Sequence, residues 1–65
     1  MDKVVWAGSL CLEGHTISYE IHNQQVVIRE TMEAAFKSHN SHMTTTIDKA
    51  IAHQEKYIAL GYDQI

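Results

Sequence analysis

At 65 residues, with 45% apolar side chains and a net charge of −3, the chain reads as one folded domain with no room for a second. Its five basic residues, Lys3, Arg29, Lys37, Lys49 and Lys56, are scattered among eight acidic ones. That disfavours nonspecific nucleic-acid binding, which needs clustered cations to neutralise phosphates. A lone cysteine, Cys11, excludes an intrachain disulfide and fits a reducing, cytoplasmic setting.

The chain opens "MDKVVWAGSLCLEG". Asp2 cancels the charge of Lys3, Leu10 stands before Cys11 where lipid-anchor cleavage would need a small residue, and the apolar run ends within nine residues. The segment is too short to span a membrane and makes a poor signal peptide, so it is expected to form the first strand, about 3–12. Within it Cys11 reads as a small apolar strand residue rather than a reactive thiol. A Gly-centred turn, "EGH", follows.

In "TISYEIH", Ile17, Tyr19 and Ile21 alternate with Ser18, Glu20 and His22. That period of two predicts a half-buried strand over 16–22. Asn23, which tolerates a left-handed backbone, marks the next turn. The β-branched run "VVIRE" then gives a third strand over 26–30.

Beyond it the period changes. Met32, Ala35, Phe36 and His39 recur at helical spacing, which predicts a short helix at 31–38, with a continuation of the third strand as the alternative. "SHNSH" reads as a polar loop. The firmest helix is 45–60: Thr45 and Asp48 resemble a capping box, and Ile47, Ala50, Ile51, Gln54 and Ile58 form its inner stripe. Gly61 supplies its natural stop. The expected fold is therefore α+β: a three-stranded antiparallel β-meander packed by a C-terminal α-helix. Such a sheet has two open edges, and the apolar first strand is the one expected to invite another chain.

The candidate sites are few. His39 and His42 stand three apart, and His53 follows on the helix. Imidazoles are good Zn²⁺ or Ni²⁺ ligands, but neither a paired CxxC nor an HExxH pattern accompanies them. A metal-binding module on these three histidines is the alternative reading. His53 otherwise belongs to a solvated, weakly basic helix face with Lys49 and Lys56. A helix-turn-helix DNA regulator is a second alternative, opposed by an overlong loop and by Asp48 at the head of the would-be recognition helix. Neither a nucleophile elbow nor a Gly-rich phosphate loop is present in the sequence, so no enzyme and no cofactor is expected.

Trp6, Tyr57 and Tyr62 remain. Large amphipathic rings that a small domain cannot fully bury make good contact anchors. A domain this small hides only about 60% of the surface its unfolded chain exposes. A partner subunit is a common supplement. The sequence thus points to a regulatory, inhibitor or adaptor module that binds another protein through a sheet edge or the C-terminal helix and forms a homodimer.

Overall fold

The computed structural model describes residues 4–33 and 38–65. It is α+β, with five antiparallel strands and one helix: β1 (Gly8–Leu12), β2 (His15–His22), β3 (Gln25–Glu33), β4 (Ser38–Thr46), α1 (Ile47–Ala59) and β5 (Asp63–Gln64). The sheet order is β4-β3-β2-β1-β5. None of the described helices is long and apolar enough to cross a membrane.

Two tight turns build the meander. Glu13 and Gly14, at φ 47° and 83°, join β1 to β2, while Asn23, at φ 58°, opens the turn into β3. Left-handed backbone at these positions matches the twist of the flanking strands. In β2 and β3 the period of two places Ile17, Tyr19, Val26 and Ile28 beneath α1, and all four are buried together with Leu10, Val5 and Ala50.

The meander is thus larger than the expected three strands. No helix begins at Thr31. The Glu33 N–H reaches the Gly14 carbonyl at 3.2 Å, and Met32 pairs with His15, so β3 runs on through Glu33. Residues 34–37 of the expected helix lie outside the described ones. "SHNSHMTTT" is not a loop but β4, paired with β3 along its whole length from Gln25↔Thr46 to Glu33↔Ser38. At the other end, residues 4–7 leave the sheet, because the Trp6 backbone is held by a side chain instead. Gln54 accepts from the Trp6 N–H at 3.4 Å and donates to the Trp6 carbonyl at 2.8 Å. The first strand is not the open edge either, since β5 pairs with it at Leu10 and Cys11.

Helix α1 follows β4 without a linker. Thr46, not Thr45, is the N-cap, and its hydroxyl accepts from the Lys49 N–H at 3.4 Å. The helix ends in a Schellman arrangement: Tyr62 N–H to the Tyr57 carbonyl and Gly61 N–H to the Ile58 carbonyl, both 3.1 Å, with Gly61 at φ 104°. Ala50 and Gln54 are buried and Ile47 and Ile51 pack on the core, as the stripe predicts, but Ile58 is 48% exposed. His53 and Tyr57 take the inner positions instead.

Candidate functional site: a carboxylate between two histidines

Two polar residues keep step with the apolar alternation of the sheet. His15 precedes Ile17 and Tyr19 on β2, and Glu30 follows Val26 and Ile28 on β3, so both lie on the face that α1 covers. The register sets Glu30 opposite Ile17, diagonal to His15 and Tyr19. From above, α1 contributes His53 and Tyr57, and the turn after the helix brings in Tyr62.

The result is a chain of five polar groups. Tyr19 Oη lies 2.7 Å from His53 Nδ1, and Tyr62 Oη lies 2.6 Å from His15 Nδ1. The other ring nitrogens converge on one carboxylate: His53 Nε2 stands 3.5 Å from Glu30 Oε1, and His15 Nε2 stands 3.6 Å from Glu30 Oε2. Tyr57 closes the group, tilted over His53 at 4.7 Å and edge-on to Tyr62 at 5.0 Å between ring centroids. Both imidazole side chains are largely buried, at 18% exposure for His53 and 12% for His15, while Glu30 retains 30%.

The electrostatics follow from that burial. Desolvation holds the His53 ring below the usual 6.5, against the upward pull of the Glu30 charge and hydrogen bond, and Lys56 and His15 add to the downward side. Burial, then Tyr57 and Glu30, push the Tyr19 phenol well above the ordinary tyrosine range, and Tyr62 moves the same way. Both phenols therefore carry their protons at neutral pH. Each can donate to an Nδ1 lone pair, which places the imidazole proton on Nε2, facing Glu30. Protons then point one way along the cluster, from each phenol through its imidazole toward Glu30, with the His15 ring at ion-pair rather than hydrogen-bond distance from the carboxylate.

The sequence-derived candidates fall elsewhere. His39 and His42 are exposed on β4, pairing with Met32 and Arg29, and point to opposite faces of the sheet. His53, bound to Tyr19, is not part of a solvated basic line. Among the described residues no three His, Cys, Asp or Glu side chains are placed to hold a metal ion. Tyr57 and Tyr62 are half-buried in the histidine cluster, and Trp6 meets Tyr19 edge-on at 5.8 Å. Cys11 is half-buried on the helix-free face, where the Thr16 hydroxyl donates to its sulfur at 3.7 Å. The sequence reading passed over His15 and Glu30, yet a signal existed: each is polar while in phase with a buried stripe.

A second feature lies at the edge of the sheet. Met32, near the end of β3, and Met43, across β4 from the buried Ile28, remain 48% and 49% exposed. Ile28, Glu30, Ser41, His42 and Met43 line a depression of about 170 Å³ on this side, well under the roughly 300–1,000 Å³ of a small-molecule pocket. The outer side of β4 pairs with no described strand, and its nine residues include none that is charged at neutral pH apart from any protonated histidine. No family model, no curated protein and no solved structure matches this chain.

Proposed function

We propose that this protein is a small non-enzymatic interaction module that acts as a homodimer, with the outer edge of β4 as its contact surface. The observation that carries the reading is the edge itself. Sheet proteins normally blunt a long edge with lysine, proline or a bulge. Here β4 presents nine residues, "SHNSHMTTT", without lysine, arginine, aspartate, glutamate or proline. A second copy is the favoured occupant, because self-pairing of two chains of charge −3 meets no like charge along this strand. Regulation, inhibition or adaptor work would then belong to surfaces that the dimer leaves open.

Backbone alternation tells which groups would pair. The Glu33-to-Gly14 bond marks the odd-numbered residues of β3 as those bonded to β2, so the even-numbered ones bond to β4. Through the register, His39, Ser41, Met43 and Thr45 turn their amides inward, and Asn40, His42 and Thr44 turn theirs outward. Met43 is the only large apolar side chain on the strand. A two-fold axis through it would set Met43 against Met43 of the partner subunit, in a pair with no hydrogen bond and closely spaced side chains.

Asn40→Pro tests the reading, since it removes an outward donor and no internal ladder bond. Light scattering at tens of micromolar is expected to give a dimer for the native chain and a monomer for the variant, with unchanged far-UV circular dichroism. A native monomer would overturn the homodimer.

A further inference from the structure

We infer that the Tyr19–His53–Glu30–His15–Tyr62 cluster is an acid-sensitive latch that holds the last turn of α1 and the segment through Ile65 against the sheet. The geometry carries this independently of the dimer. The side chains that attach this segment to the sheet meet in the cluster, where the Tyr62 hydroxyl bonds His15 and the Tyr57 and Tyr62 rings pack on the imidazoles, and its backbone is tied by the Ile65 N–H on the Ser9 carbonyl at 2.9 Å. The two-residue strand β5 adds only the pairing at Leu10 and Cys11.

Neutral rings satisfy the cluster with one carboxylate. Protonation changes two things. Each Nδ1 becomes a donor, so its tyrosine must turn its own O–H away. Tyr19 is 2% exposed, and its hydroxyl proton then has no acceptor among the described contacts, since His53 is the partner it has. Secondly, two imidazolium ions would face a single carboxylate. The groups around them are Tyr19 and His15 on β2, Glu30 on β3, and Lys56 and Tyr57 on α1, with Tyr62 beyond the helix and Glu13 and Cys11 close to Tyr62. Glu30 can balance one added charge, and the Lys56 ammonium opposes the second. The doubly protonated cluster relaxes when the Tyr57 and Tyr62 rings that cover it move off and water reaches the imidazolium ions. The Gln54–Trp6 pair does not titrate and keeps the middle of α1 in place, so the part that yields is Tyr57–Ile65. Its release takes β5 off β1 and uncovers the outer edge of that strand.

Amide hydrogen exchange read by NMR, with ring titrations of both histidines, tests this. Between pH 7.5 and 5.0, after correction for intrinsic exchange, protection of the Tyr62 and Ile65 amides is expected to fall at least tenfold, in step with protonation of His53. Amides of Ile17 and Ile28, which follow global stability, should fall by clearly less than those of Tyr62 and Ile65. Tyr62→Phe keeps the ring packing and cuts the link to His15. Its Ile65 amide should already be weakly protected at pH 7.5 and should lose its pH response, while His53 still titrates below 6.5. Constant protection of Ile65 across this range would overturn the latch. So would a loss shared equally with Ile17 and Ile28, which is global unfolding.

Discussion

Gln54 is the side chain whose removal can be reasoned through most fully. It is 3% exposed and makes two bonds to the Trp6 backbone, at 2.8 and 3.4 Å. Gln54→Leu keeps much of the volume and deletes both. The shorter bond has ordinary geometry and contributes about 1 kcal/mol net, and the longer one contributes little. The larger effect is on Trp6, whose carbonyl and N–H lose their partner. A fully buried group left so costs about 1–3 kcal/mol, and half-burial of Trp6 reduces that toward the low end. Leucine offsets part of the loss through its own burial. The net is about 1–2 kcal/mol, a fall in Tm of roughly 5–15 °C for a domain of this size. Thermal unfolding by circular dichroism reads the shift, and Trp6 emission should move to the red as residues 4–7 undock. Gln54→Glu keeps the acceptor but sets a carboxylate against the Trp6 carbonyl, so it should be the less stable of the two at pH 7. A Gln54→Leu protein with unchanged Tm and emission would refute the view that this amide stands in for a strand.

Three further outcomes are expected. Burial holds His53 below its unfolded 6.5, so the unfolded chain binds more protons between the two values; stability is complete above about pH 6.5 and declines as pH falls. Urea midpoints between pH 8 and pH 5 should show that decline, and a flat profile would contradict it. Gly61→Ala should cost about 1–2 kcal/mol although no atom beyond its chain neighbours lies within 4 Å of the added carbon, because φ there is 104° and the penalty is backbone strain. An unchanged Tm would remove the Schellman stop from the account. Ile17 is fully buried, so Ile17→Ala should lose about 2–5 kcal/mol, a large share of the total for so small a domain, seen as a collapse of near-UV circular dichroism at 37 °C.

What the sequence made legible was whatever had a period. Ile17, Tyr19 and Ile21 announced β2, Asn23 and Gly14 announced the turns, and Ala50 with Gln54 fixed the inner side of α1. β4 was hidden because it has no apolar alternation to show. Its outer residues meet water on both faces, and only the β-branched "TTT" hinted at a strand. Its place is set by pairing with β3, which is a tertiary fact. Ile58 and His53 exchanged roles for a related reason. Hydropathy favoured isoleucine inside, but Tyr19 and Glu30 offer His53 two polar partners beneath the helix, and the ring turns to meet them. The cluster as a whole depends on register, since His15 and Glu30 are brought together only by the pairing of Ile17 with Glu30.

The central claim, a homodimer joined along β4 with Met43 on its axis, is tested most directly by a cross-link. In a Cys11→Ser background, Met43→Cys would place two thiols in a non-hydrogen-bonded antiparallel pair, with Cα atoms about 4.5 Å apart and within reach of a disulfide. Mild oxidation at micromolar concentration should convert the variant to a covalent dimer within minutes, while Thr44→Cys, whose side chain points to the other face, should remain mostly uncoupled. A dimer by light scattering that resists this cross-link would place the interface elsewhere, and a chain that stays monomeric in both experiments would contradict the account.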